Sequence, residues 1–502
     1  MQENNAAPHG TRLAAVDLGS NSFRLEIGTV DHQQIRRSEY RKETVRLGDG
    51  LDEERNLKPE AMQRGWKCLS RFAERLAGFD PSQVRAVATQ TLREARNREE
   101  FLRPAQEMLG FPIDVISGRE EARLIYQGVA RLLPDSDERR LVVDIGGRST
   151  ELILGRAQQS QAMESFRVGS VAWSMKYFPQ GRFSHQAFQT AEVAAKAFLD
   201  EAATTFAAEH WDRAYGSSGT VGAVGDILVA AGFDSHVVTR HGLAWLRTRL
   251  IEAKHADQVR LSGLKDERRA VIGGGLSVLL AVFDLFGIDQ MHVAQGALRH
   301  GLLFGLLEGE RSSADIRMAT VARLARKFEI DEEQAGRVSQ VALRLLAMVA
   351  TDKDMDKARL ARKLGWAARL HEIGCLVSHS DAHKHGAYIL DNADALGFSM
   401  PELHRLSCLV LGHRGKLKKL QGNFEDESFT MQLLALRLAV ILCHARRDPD
   451  LQGIELTRDG WTWIVSAPSG WAARFPQSAH LLREECRAWD KLHWRLEARL
   501  PA

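Results

Sequence analysis

The chain lacks any closely spaced cysteine pair. Its five cysteines, Cys68, Cys375, Cys408, Cys443 and Cys486, are odd in number and far apart, which excludes a disulfide framework and a zinc knuckle and leaves reduced, buried thiols. It also lacks a long apolar run: the longest, LSVLLAVFDLFGI from Leu276, is too short for the ~20 residues of a bilayer span and contains Asp284. The opening MQENNAAPHGTR has no apolar h-region of a secretion signal. A cytoplasmic protein without a transmembrane segment is expected. Charge of one sign is missing too, because 68 Lys and Arg stand against 65 Asp and Glu, so only local clusters carry weight. One such cluster, HRGKLKK from His413, comes with neither an aromatic stacking motif nor a recognition helix, and nucleic acid is not an expected partner.

What the chain has is 502 residues with 44% hydrophobic and 26% charged content. That is globular material for roughly three or four domains at ~100–200 residues each. Residues 14–28 read AAVDLGSNSFRLEIG, with apolar residues on both sides of a Gly/Ser/Asn turn, the pattern of a β-hairpin with a loop of small, hydrogen-bonding residues. Residues 141–155, LVVDIGGRSTELILG, align with it without a gap: Asp17 with Asp144, Gly19 with Gly146, Ser22 with Ser149, Gly28 with Gly155. Two such hairpins one domain-length apart predict a duplicated α/β domain with halves facing across a cleft. Helical spacing in EAMQRGWKCLSRFAERLAGF, followed by the strand-like VRAVAT, predicts a mixed or parallel sheet covered by helices.

Loops of this kind expose backbone N–H groups and let anion oxygens approach, so Gly19, Ser20, Asn21, Ser22, Gly146, Gly147, Arg148 and Ser149 are candidate phosphate contacts. A third element, YGSSGTVGAVG from Tyr215, leads from a strand into a helix N-terminus and adds Ser218, Gly219 and Thr220. Asp17 and Asp144 would bring two carboxylates beside that anion site, which calls for a hard divalent cation, Mg²⁺ held partly through water. Arg93 suits a phosphate clamp, since a guanidinium makes bidentate contacts; the alternative is an exposed arginine at a helix start.

AAVDLGSNSF, ATQTLREARN, VISGREEARLIYQGV, VVDIGGRSTEL, YGSSGT and GALRHG together resemble the motif series of the exopolyphosphatase and guanosine-pentaphosphate phosphohydrolase family, of the acetate kinase, sugar kinase, Hsp70 and actin superfamily. RLHEIGCLVSHSDAHKHGAYIL resembles its helical HD-like domain. The resemblance implies an α/β fold of two duplicated ribonuclease-H-like (actin-like ATPase) domains flanking a cleft, at 11–133 and 134–308, then a helical HD-like domain at 312–447 and a small C-terminal α+β domain at 448–502. It implies that Glu121 orients or deprotonates the attacking water, that Glu120 is a solvated or structural neighbour, and that Glu151 joins Asp144 at the metal or the water. It further implies removal of terminal orthophosphate from inorganic polyphosphate, with hydrolysis of guanosine pentaphosphate to the tetraphosphate as the sister activity. A homodimer, a monovalent cation as a second ion and peripheral attachment to the inner membrane face are further options on that footing. A kinase on the same fold and a non-catalytic polyphosphate sensor rank behind.

Two positions depart from the family pattern: Arg148 stands where a third glycine is usual, so it is either strained at φ > 0 or a new cation beside the phosphate, and Gln295 replaces an acidic residue. In the C-terminal half, His371-Glu372 stands in place of a metal-binding His-Asp pair, with His379, His383, His385 and His413 nearby in sequence; structural histidines are expected there rather than a dimetal site. Arg414, Lys416, Lys418 and Lys419 would line a groove for a long polyanion, or else form a solvated basic loop. GLLEGERSSAD from Gly305 is the expected link between halves, with helices starting after SSAD and IDEEQ, and IELTRDGWTWIVSA reads as a hairpin turning at Asp459-Gly460, with the WTW tryptophans as packing residues.

Overall fold

The computed structural model describes residues 8–32, 34–234, 237–350 and 357–501, the side chains of 309–315 and 421 excepted. The chain divides into two compact units between Ala314 and Asp315.

Unit 1 contains the predicted duplication. In its first lobe, β1 (Arg12–Leu18), β2 (Ser22–Asp31) and β3 (Gln34–Thr44) form an antiparallel meander, and β4 (Val84–Ala88) and β5 (Ile113–Val115) add in parallel on the far side of β1, giving the order β3-β2-β1-β4-β5. The second lobe repeats the plan with β6 (Arg139–Ile145), β7 (Thr150–Arg156), β8 (Gln159–Phe166), β9 (Arg213–Ser217), β10 (Val237–Thr239) and β11 (Gln290–Val293), ordered β8-β7-β6-β9-β11-β10. β1 and β6 are each buried at six of seven positions, as strands covered on both faces must be. Between the sheets lie the helix Gly118–Ala130 and the first turns of the helix Leu298–Lys327, sharing a core with Ala15, Val87, Val142 and Ile153. Their backbones touch: a Cβ on Gly128 would lie 2.3 Å from the Ala297 carbonyl oxygen, and one on Gly301 would lie 2.0 Å from that of Leu124. The glycines of the GALRHG string thus serve helix crossing.

The SSAD signal does not start a helix. The helix Leu298–Lys327 runs through it, because LLFGLLEGE ahead of it is rich in helix-forming Leu and Glu and the backbone is already helical when it arrives. The IDEEQ signal does: Asp331 caps Glu332–Val349, accepting from the Gln334 amide at 3.0 Å.

Among the described residues, unit 2 packs seven α-helices, Glu332–Val349 included, and a three-stranded sheet, β12 (Glu455–Asp459), β13 (Thr462–Ser466) and β14 (Arg495–Arg499), around one core running from Val321 to Leu496. The β12–β13 hairpin turns at Asp459-Gly460, with Gly460 at φ 56°. Of the WTW tryptophans Trp463 is fully buried on β13, whereas Trp461 precedes the strand in the turn and is exposed, with one side of its ring against Trp494 and His493. No helix among the described residues is long and apolar enough to cross a membrane.

Candidate active site

The register of the twin hairpins sets the site. Asp17 pairs across the ladder with Arg24, and Asp144 with Glu151, so each aspartate ends a buried strand and shares a sheet face with its partner. The two loops meet: a Cβ on Gly147 would lie 3.1 Å from Ser20 Cβ and 3.4 Å from the Asn21 amide nitrogen. Between the lobes lies a cavity of about 350 Å³. Its walls include Asp17, Gly19, Ser20, Asn21 and Ser22 from the first loop, Asp144, Gly146, Gly147 and Ser149 from the second, and Ser218, Gly219 and Thr220 from the third.

The third element is built as the strand-to-helix turn that its sequence implies. The helix Ser218–Ala230 follows β9 directly, and Ser218 takes a left-handed φ of 79° that serine rarely adopts. Its hydroxyl and that of Thr220 both donate to the Ile145 carbonyl, at 2.9 and 2.8 Å, tying this turn to the strand that carries Asp144.

Glu121 enters the same cavity from the helix Gly118–Ala130, whose N-cap Ser117 accepts from the Glu120 amide at 3.2 Å. Neighbours on a helix point about 100° apart, and the two glutamates separate accordingly. Glu120 is fully buried and held by Arg123 Nε and Nη2, both at 2.8 Å; it is structural and not solvated. Glu121 faces Arg93, whose Nη1 donates to its Oε2 at 2.7 Å. Arg93 also donates to the Ile116 carbonyl and to Gln90, and its guanidinium is committed to these protein groups.

Asp17, Glu121, Asp144 and Glu151 are all under 9% exposed. Burial is the main reason that the Asp144 carboxyl is pushed up to about 6; the Ser217 hydrogen bond opposes the rise, and the charges of Glu121 and Asp17 add to it. Burial likewise raises Glu121, with Arg93 opposing. Glu151 is raised well above the ordinary glutamate range by burial and by Glu121 and Asp144, while accepting from Ser165 Oγ at 2.8 Å. Glu151 is not among the residues that line the cavity and lies across the ladder from Asp144.

Five cations lining this cavity were not named as site residues from the sequence: Arg24, Lys42, Lys265, Arg268 and Arg299. Arg24 Nη1 donates to Asp17 Oδ2 at 2.9 Å; burial lowers the arginine, but Asp17, Tyr40 and Asp144 together raise it further. Lys42, lowered by burial, pairs across the cleft with Glu267, and Arg268, also lowered by burial, lies against Gly219. Arg24 could have been found from the hairpin register; Lys42 and Arg268 sit in charge-rich strings, YRKE and KDERR, that read as solvated surface. Gln295 also lines the cavity.

Arg148 is not at a left-handed φ, so glycine at that position is not a conformational necessity. Its side chain does not line the cavity; it turns to the first lobe, donating to Glu94 and to the Gly48 carbonyl.

In unit 2, His371 and His413 are buried with Nδ1 bonded to the carbonyls of Ala368 and Val410, and Glu372 pairs with Arg446. Arg414 donates to the Ser380 carbonyl at 2.7 Å. Lys416, Lys418 and Lys419 are exposed, the Lys419 ammonium being pulled down to about 8 by partial burial and by Arg437. Among the described residues, one group of three metal-type donors has its atoms within 4.8 Å of one another, the surface set His9, Asp31 and His32. The unit 2 histidines form no such group.

Duplicated α/β lobes close on a carboxylate-rich cavity walled by three glycine and serine turns, the layout of a site for a phosphate-bearing substrate. The chain belongs to the Ppx/GppA phosphatase family: the family model matches residues 27–310, and that of Ppx/GppA phosphatase domain III matches residues 316–486. Among solved structures it is similar to an exopolyphosphatase-like protein at 27% identity, covering 58% of this chain and 96% of that one with a TM-score of 0.53. It is also similar to an exopolyphosphatase from Cytophaga hutchinsonii at 21% identity, covering 60% and 100% with a TM-score of 0.54, a likeness of fold.

Proposed function

We propose that the protein is an exopolyphosphatase that releases terminal orthophosphate from inorganic polyphosphate by attack of water. The observation that carries this reading is Glu121: a buried carboxyl, paired with one arginine, on the wall of the cavity that all three anion-type turns line. In its ionised form Glu121 takes the proton of a water aimed at the terminal phosphorus, and its raised proton affinity suits that role. The turns at 19–22, 146–149 and 218–220 hold the phosphoryl oxygens through backbone donors, with hydroxyl donors added from the first two, since the Ser218 and Thr220 hydroxyls are bonded to the Ile145 carbonyl. Arg24, Lys42 and Arg268 offset the charge of the next phosphates along a chain.

Of the four buried carboxyls, Asp17 and Glu121 each have an arginine partner while Asp144 and Glu151 have none among the described residues, and oxygen donors of this kind suit Mg²⁺. No three of them bring oxygens within 4.8 Å of one another, which fits an ion held by one or two carboxylates together with waters and substrate oxygens. When bound, the cation supplies charge neutralisation at the phosphoryl oxygens. Asp17 and Asp144 are the residues to hold it, with Glu151 supporting Asp144.

Orthophosphate release from long-chain polyphosphate, measured beside release from guanosine pentaphosphate, with and without a phosphoryl acceptor, tests the reading. Acceptor-independent release, faster from polyphosphate, is the expected result. Faster release from guanosine pentaphosphate assigns the sister activity, and a requirement for an acceptor overturns hydrolysis altogether.

A further inference from the structure

Arg148 stands between two residues of the cavity wall, Gly147 and Ser149, yet its guanidinium leaves the cavity and crosses to the opposite lobe. Nε and Nη2 donate to Glu94 Oε2 at 3.2 and 3.0 Å, and Nη1 donates to the Gly48 carbonyl at 3.2 Å. The approach is close: a Cβ on Gly48 would lie 3.0 Å from Arg148 Cδ. Glu94 is not a surface acceptor, since its side chain is only 10% exposed.

From Glu94 the hydrogen bonds continue inward. Gln90 Nε2 donates to Glu94 Oε1 at 2.7 Å, and Gln90 Oε1 accepts from Arg93 Nε and Nη2 at 3.1 and 2.6 Å. Arg93 Nη1 then donates to Glu121 Oε2 at 2.7 Å. The orientation of the Gln90 amide is fixed by its neighbours, because the reverse would set its NH₂ against the guanidinium. Arg93 and Glu94 are adjacent on one short helix, Gln90–Glu94. Arg93 is thus joined directly to Glu121 and, through the Gln90 amide, to Glu94, which is itself occupied by a cation from the other lobe. Arg167, at 3.8 Å and 65% exposed, is a poor substitute for that cation.

We propose that Arg148 is a positioning residue: by holding Glu94 from across the cleft, it keeps Arg93 committed to Glu121 and so links lobe closure to the placement of the water-activating carboxylate. The proposal rests on the reading of Glu121 given above. Removing the Arg148 side chain frees Glu94 to draw Arg93 away, and Glu121 loses the group that orients it.

The test compares wild type with Arg148→Gly, Arg148→Lys, Glu94→Gln and the double variant Arg148→Gly/Glu94→Gln. In polyphosphate hydrolysis, Arg148→Gly lowers kcat by about 10- to 100-fold, the scale of misplacing a reacting group by an ångström, with KM little changed. Arg148→Lys recovers part of the loss by supplying one charge to Glu94. The double variant recovers more, because a neutral residue 94 no longer competes for Arg93. A crystal structure of Arg148→Gly shows Arg93 turned to Glu94. A wild-type kcat in Arg148→Gly, a change confined to KM, or no recovery in the double variant overturns the proposal. If the wild type hydrolyses neither substrate, the functional reading fails separately, and the crystal structure still decides: Arg93 remaining on Glu121 without Arg148 rules the positioning role out.

Discussion

Arg24 and Glu151 occupy equivalent positions of the two hairpins, each across the ladder from an aspartate, so that the copy in the first lobe is an ion pair and the copy in the second is a pair of carboxyls. The asymmetry divides labour between otherwise matching loops. Asp17 is held by a cation of its own, whereas Asp144 has no cation across the ladder and its proton affinity is raised, chiefly by burial.

Replacing Arg24 with Met leaves Asp17 buried without its partner. Breaking a buried pair from one side costs about 3–5 kcal/mol; the partial exposure of Arg24 places this case at the lower end. Urea unfolding of Arg24→Met is expected to show a loss of about 3 kcal/mol, and Asp17→Asn in the same background is expected to recover most of it.

The Asp144 carboxyl gives unit 1 a defined pH dependence. Its folded value of about 6 lies above the ordinary 3.8, so its contribution favours the folded state below about pH 4 and is lost as pH rises through 6. At ~1.4 kcal/mol per unit, the loss amounts to about 3 kcal/mol. With divalent ions chelated, the unfolding midpoint of the wild type should fall between pH 4 and 7, and that of Asp144→Asn should fall less.

How much of this was legible in the sequence depends on what spacing encodes. The twin hairpins, the strand-to-helix turn at Ser218 and the helix that carries Glu121 were all readable, because each rests on local periodicity and turn chemistry. The pairing of Arg24 with Asp17 depends on ladder register, which the gapless alignment of the two copies contains but residue type alone does not display. The direction of the Arg148 side chain was not legible: its rotamer is decided by Glu94, distant in sequence and on another lobe. Capping signals proved conditional, obeyed at Asp331 and bypassed at SSAD, since a cap acts only where the preceding backbone has left the helix.

Gly301 is expected to tolerate no side chain. A methyl group there would overlap the Leu124 carbonyl, and forcing an added methyl into a packed contact costs about 1–3 kcal/mol. Thermal unfolding of Gly301→Ala should show a lowered transition, with Gly336→Ala, inside a helix where a Cβ meets nothing within 4 Å, as the control whose transition is not lowered.

In unit 2, Glu485 binds Arg437 through both oxygens and accepts from Trp489 Nε1 at 2.7 Å, all three groups being buried. Glu485→Ala leaves the arginine without a counter-ion. A destabilisation of about 3–5 kcal/mol is expected, read as an earlier tryptophan fluorescence transition in denaturant.

The rate of phosphate release by Glu121→Gln tests the central claim most directly. General base catalysis contributes about 10²–10⁴-fold, so the account predicts a fall in kcat on that scale from polyphosphate, with binding of the chain retained. A Glu121→Gln enzyme that releases orthophosphate at the wild-type rate would contradict it.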